Sequence, residues 1–231
     1  MTFVRIIFHS VLSVALVGVV GWNSLNAEAA PSWEENASQG KEWTEYTRQL
    51  LQEYGESLQA SFEDKGAFCP NFDALTKEQK ENFWITLISE LSYHESGHKP
   101  TDRYNEAEQG IDDITGNPVY SEGLLALSYQ DQQRYPFCAV FDWQRDKDLD
   151  PNDAERTIFS PRNNLFCGVR IFIDQVRNYG NVATNTGYWS VLRPNNSHSK
   201  VDEISSATRS LSFCQGGTDG NTGGSEDVND G

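Results

Sequence analysis

Between Thr76 and Gly97 the chain carries a segment that leaves little choice of structure. Phe83, Trp84, Leu87, Ile88 and Leu91 recur at helical spacing up to Tyr93 and His94. Thr76 with Gln79 forms a capping-box pattern at one end, and Gly97 with Pro100 stops the helix at the other. So dense an apolar helix must be buried, and whatever domain this chain makes is wrapped around it. Glu95 sits at its end. A carboxyl there is partly desolvated and faces the negative end of the helix dipole, and both effects raise its affinity for a proton.

Other segments are assigned around this helix. Trp33 to Phe62 has an apolar stripe at Trp43, Tyr46, Leu50, Leu51, Tyr54 and Leu58, read as a leading helix, and Ser160-Pro161 opens another that ends near Gly180. Ser121 to Gln130, Tyr188 to Leu192 and Val201 to Phe213 are expected to be helical, Asp102 to Tyr120 a loop or small hairpin, and Asp146 to Glu155 an acidic connection. The fold class expected is mainly α.

The chain opens with Arg5, an apolar run from Ile6 to Gly21, and Ala27-Glu28-Ala29, which together read as a secretory signal peptide over residues 1–29. The run is shorter than the ~20 residues a membrane span needs. One domain is expected over 30–214, and the polar, glycine-rich stretch 215–231 is expected to be a disordered tail. Cys69, Cys138, Cys167 and Cys214 all fall in the mature part and argue for two disulfides. Three pairings are open; Cys138 with Cys167 and Cys69 with Cys214 is favoured, the latter joining the ends of the domain. The net charge is −16, from 18 basic and 34 acidic residues. Such a chain repels nucleic acid and anionic lipid, so neither nucleic acid nor, after leader removal, a membrane is expected as partner, and a monomer is.

The blocks His94-Glu95-Ser96, Tyr120-Ser121-Glu122-Gly123-Leu124-Leu125 and Pro161-Arg162-Asn163-Asn164-Leu165-Phe166-Cys167-Gly168 resemble, in that order, three blocks of the soluble lytic transglycosylases and goose-type lysozymes. The resemblance spans about Trp84 to Leu192. It implies a lysozyme-like helical domain, a peptidoglycan or related amino-sugar polymer as substrate, no cofactor, and Glu95 as the acid that protonates the glycosidic oxygen. It places Gly123 to Ala126 along the sugar cleft and gives Asn164, Leu165 and Gly168 a supporting role. Leu125-Ala126 stands where the family has Met-Gln, leaving Ser128, Tyr129 or Gln130 to supply the missing amide. The family's Tyr-Asn-Ala-Gly element has an echo in Asn185-Thr186-Gly187-Tyr188-Trp189. The substrate-binding set expected is therefore Ser96, Tyr120, Ser121, Glu122, Gly123, Ser128, Tyr129 and Tyr188. Asp112 and Asp113 are candidates for a second, water-positioning carboxylate, with Glu106, Glu108 and Glu122 behind them; without such a group the substrate's own hydroxyl closes an anhydro ring.

Two metal motifs overlap these residues. His94-Glu95-Ser96-Gly97-His98 satisfies the H-E-x-x-H pattern of zinc proteases, with His198 or Glu122 as third ligand. Gly97 and Pro100 oppose it, because both histidines must ride one continuous helix. Asp146-x-Asp148-x-Asp150 opens like a calcium loop, but Pro151 stands where glycine is required and Thr157 where the bidentate glutamate should be. No metal is expected at either. A non-catalytic sugar-binding domain is the further alternative, and Glu95 speaks against it.

Overall fold

The computed structural model describes residues 29–215. The leader expected over 1–29 and the tail expected over 215–231 lie outside the described residues, apart from Ala29 and Gln215.

The chain is mainly helical. Helix α1 (Ser32–Asn36) and α2 (Gly40–Tyr54) come first, then the single turn α3 (Lys65–Phe68) and the long α4 (Lys77–Ser96). A hairpin of β1 (Arg103–Asn105) and β2 (Tyr120–Glu122) follows, then the one-turn helices α5 (Asp131–Arg134) and α6 (Trp143–Asp146). The long α7 (Pro161–Tyr179) and α8 (Val201–Arg209) close the domain.

Helix α4 is the axis. Its Thr76 hydroxyl accepts from the Gln79 amide at 3.2 Å while the Gln79 side chain accepts from the Thr76 amide at 2.9 Å, so two donors that the first turn would orphan are satisfied. Phe83, Trp84, Ile85, Leu87, Ile88 and Leu91 are buried on every side of it. Helices α1, α2 and α8 pack against it, and α2 packs in turn on α7. Phe62, Phe72, Phe83 and Trp84 form an edge-on aromatic cluster at its start.

Both favoured disulfides are present, Cys69–Cys214 and Cys138–Cys167. The first spans 145 positions and ties the end of α3 to the 3-10 turn at Ser212–Cys214; the second spans 29 and ties the segment after α5 to α7.

Four expected helices differ. Trp33 to Phe62 is broken into α1, α2 and a 3-10 turn at Glu56–Gln59. The first break brings Gly40 so close to Trp33 that a β-carbon would stand 2.2 Å from its carbonyl oxygen, a packing only glycine allows. Ser121 to Gln130 is not a helix: β2 leads into tight turns where Gly123 has φ +79° and Ala126 φ +51°. The apolar run Leu124, Leu125 and Leu127 is buried by those turns instead. Tyr188 to Leu192 reduces to a 3-10 turn at Ser190–Leu192, and Val201 to Phe213 to α8 plus a 3-10 turn at Ser212–Cys214.

Candidate active site

The end of α4 is fixed from both sides. Gly97 takes the left-handed conformation (φ +61°) and its amide caps the Tyr93 carbonyl at 2.8 Å. Ser96 is buried and turned inward, its hydroxyl 3.0 Å from the Leu124 carbonyl, which staples the helix end to the turns after β2. Those turns are held by Asn164: its Oδ1 accepts from the Leu125 amide at 2.8 Å and its Nδ2 donates to the carbonyls of Glu122 and Ile158. A β-carbon on Gly123 would lie 2.2 Å from Asn164 Nδ2, and one on Gly168 2.4 Å from the Leu125 side chain. Trp189 Nε1 donates to the Leu125 carbonyl at 2.8 Å. Three blocks distant in sequence thus lock one loop beneath the end of α4.

Glu95 emerges from this frame half-buried, and its Oε1 is buried without a hydrogen-bond partner among the described residues. Burial pushes its carboxyl up to about 8; the charge of Glu106 adds to the rise and Arg193 opposes it. The group is therefore a carboxylic acid at neutral pH. Glu106 follows β1, with its amide on the Val119 carbonyl at 2.8 Å, and its Oε1 accepts from the Ser121 hydroxyl at 3.0 Å. Tyr188 lies within electrostatic reach of Glu95. Arg193 donates to the carbonyls of Gly187 and Tyr188 and holds that segment in place.

The hairpin sorts the remaining candidates by strand alternation. Its pairs are Arg103 with Glu122, Tyr104 with Ser121, and Asn105 with Tyr120. Ser121 is turned to Glu106. Tyr120 and Glu122 face the opposite way, onto a cavity of about 160 Å³ shared with Arg103, Asp146, Lys147 and Arg156. There Glu122 is buried in an ion-pair cluster with Arg103 Nε (2.9 Å) and Arg156. Tyr129 is fully buried and donates to Asp146 Oδ2 at 2.7 Å. Tyr120, Glu122 and Tyr129, read from the sequence as sugar contacts, are thus brought together around a cavity whose lining does not include Glu95. Asp112 is not free to hold a water: its Oδ1 accepts from the Ile114 and Thr115 amides and its Oδ2 from that of Gln130. Asp113 is exposed on the hairpin loop, and Ser128 is buried against Asp131.

The chain is similar to Bd0314 DslA. That Bdellovibrio protein, in a wild-type form, is 28% identical over 80% of this chain and 97% of its own, with a TM-score of 0.64. Two variants of it, each with one glutamate changed to glutamine, match at 28% and 26% identity with TM-scores of 0.65, over 81% and 80% of this chain and 98% of their own. The two altered glutamates lie eleven positions apart. No family model and no curated protein sequence matches the chain.

The H-E-x-x-H histidines do not share a helix. Helix α4 ends at Ser96, and His98, at φ +59°, turns back so that its ring nitrogen meets the Ser89 carbonyl at 2.9 Å. Among the described residues no group of three or more His, Cys, Asp or Glu is disposed to hold a metal. The Asp146 motif is likewise taken up internally, Oδ2 accepting from Tyr129 and from the Thr157 amide and hydroxyl.

Glu106 stood behind Asp112 and Asp113 in the sequence reading, and Arg193 was missed. Two three-residue strands are too short to announce their alternation, so the face on which Glu106 falls has no signature in the chain.

Proposed function

We propose that this protein is an exported glycan-cleaving enzyme of the lysozyme and lytic-transglycosylase type, acting on peptidoglycan or a related amino-sugar polymer. The observation that carries the reading is Glu95: an acid held protonated at neutral pH, its Oε1 without a partner, at the end of a rigid capped helix. Glycosidic cleavage needs such a group to protonate the leaving oxygen as an oxocarbenium-like centre develops. Glu106 is the second carboxylate. It supplies the charge that stabilises that centre, and it either positions a water or leaves the attack to the substrate's own hydroxyl. In Bd0314 DslA the two glutamates changed to glutamine stand at the spacing of Glu95 and Glu106, which supports the pairing. Export is supported by the two disulfides and by the expected leader.

The acidic surface favours a glycan that is less anionic than fully acetylated peptidoglycan. De-N-acetylated peptidoglycan or chitosan presents protonated amines that a chain of net charge −16 attracts.

The test is mass spectrometry of soluble products from native and de-N-acetylated sacculi, each treated with the mature protein and its Glu95→Gln variant. Fragments released only by the unaltered protein, faster from the de-N-acetylated wall, are expected; reducing or anhydro ends then assign the attacking group. No release from either wall refutes glycan cleavage. Polymer binding that survives in both proteins without cleavage identifies a sugar-binding domain instead.

A further inference from the structure

The cavity on the face of the hairpin opposite Ser121 is a second polar site. Strand β2 presents Tyr120 and Glu122 to it, β1 adds Arg103 from across the strand pair, and α6 supplies Trp143 and Asp146, three positions apart on one side of its turn. Arg156 also lines it, its Nη1 donating to the Pro151 carbonyl at 2.7 Å.

Asp146 points to a ligand. It is 1% exposed, and its Oδ2 is fully used, accepting from the Tyr129 hydroxyl at 2.7 Å and from the amide and hydroxyl of Thr157. Its Oδ1 is buried without a hydrogen-bond partner among the described residues. A buried carboxyl oxygen without a donor costs stability, and a hydroxyl that enters the cavity removes that cost. A donor for the same ligand stands across from it. Arg103 lies over the Tyr120 ring, 3.2 Å from its centroid, with its Nε committed to Glu122 Oε1 at 2.9 Å. The guanidinium is therefore placed in advance, and its terminal nitrogens are left for a ligand.

The lining also selects the class of ligand. Its formal charges cancel, Arg103, Lys147 and Arg156 standing against Asp112, Glu122 and Asp146, so neither an anion nor a cation is favoured over a neutral molecule. Trp143, half-buried and edge-on to Tyr129 at 5.3 Å, gives an aromatic wall for an apolar face. At about 160 Å³ the cavity is smaller than the ~300–1,000 Å³ of pockets for drug-sized ligands, which limits its occupant to one small ring. A sugar ring has these properties together: no charge, a face of C–H groups, and hydroxyls around its edge that both donate and accept.

We propose that this cavity binds a single neutral pyranose unit, with Trp143 against its C–H face, Asp146 accepting from one hydroxyl and Arg103 donating to another. Tyr120 and Glu122, read from the sequence as sugar contacts, then serve a sugar site whose lining does not include Glu95. The inference does not depend on the role given to Glu95, because binding here breaks no bond.

The test is a proton–nitrogen NMR titration of the mature protein with N-acetylglucosamine, glucosamine and inorganic phosphate as separate probes. N-acetylglucosamine is expected to move the Trp143 indole signal and the Asp146 and Lys147 amides, saturating with a Kd of ~1 mM. Trp143→Ala should weaken it about tenfold, and Trp143→Phe, which keeps an aromatic wall, by less. No shift at these groups means that the cavity holds water alone and overturns the proposal. Shifts confined to Glu106, Ser121 and Arg193 overturn it as well, because the sugar then sits at the Glu95 site. So does an unchanged affinity in Trp143→Ala, and tighter binding of phosphate or glucosamine at the same groups overturns the neutral class. Where Trp143→Ala does not fold, the wild-type shift map alone decides. Absence of glycan cleavage by the wild type would remove the catalytic reading and leave this titration readable.

Discussion

Glu95 and Glu122 are both glutamates drawn into the protein interior, 27 positions apart, and they have opposite fates. Burial pushes both carboxyls up, but two guanidiniums, those of Arg156 and Arg103, pull Glu122 back and both donate to its Oε1. Glu95 has the like charge of Glu106 beside it, opposed by Arg193 alone, and an oxygen with no partner. Desolvation is common to the two; the partners decide which acid is a structural anion and which keeps its proton. A buried acid with its donors supplied stabilises the loop it holds, and one left unsupplied is available for chemistry at some cost to stability.

That contrast is tested most severely by removing the acid's function. Glu95→Gln is expected to lower the rate of glycan release about 10²- to 10⁴-fold, the contribution of a positioned general acid, with the fold intact by circular dichroism. In the unaltered protein kcat/KM should fall as pH rises through about 8, where Glu95 loses its proton.

Making Glu122 resemble Glu95 should be nearly as costly, but in stability. Arg156→Met leaves a buried carboxylate short of its nearest partner, and a loss of about 3–5 kcal/mol by urea unfolding is expected. A loss under ~1 kcal/mol would mean that Arg103 alone suffices and that the cluster is less coupled than its geometry implies.

Converting Glu95 to an amide should stabilise the protein, and the sign follows from linkage. Its carboxyl titrates at about 8 in the folded state and at 4.5 in the ordinary state, so between those values the folded protein binds the extra proton. Stability supplied by that proton is fully present below the lower value and is lost as pH rises to the upper one. Thermal melts of wild type and Glu95→Gln should therefore agree near pH 4 and diverge upward to pH 8, the variant being more stable there by roughly 1–3 kcal/mol. Equal stability throughout would show that Glu95 is no less well solvated than an exposed carboxyl.

The two acids also differ in how far the chain announces them. The capping box at Thr76, the apolar density of α4 and the stop at Gly97 placed Glu95 at the end of a buried helix from sequence alone, and the cysteine pattern was legible to within its pairings. Glu122 was read as a sugar contact because it sits in a motif, while the partners that claim it, Arg103 and Arg156, are 19 and 34 positions away. Glu106 was obscured for the same reason: its facing depends on the pairing of two three-residue strands. Local pattern fixes what a helix does to its own side chains; it does not carry the cross-chain register that decides which acids acquire a guanidinium.

The smallest expected effect comes from Gly97, which separates the aim of Glu95 from its electrostatics. At φ +61° an alanine has ample room, with the nearest atom of another residue, Lys99 Cε, 3.9 Å from the new β-carbon, so its cost is conformational, about 1–2 kcal/mol. No charge changes, and the Ser96 hydroxyl still staples the helix end to Leu124. Gly97→Ala should therefore lower the melting temperature modestly while leaving the pH at which activity falls where it was. If that pH moves with it, the proton affinity of Glu95 depends on the last turn of α4 as well as on burial, and the contrast with Glu122 becomes one of backbone geometry as much as of partners.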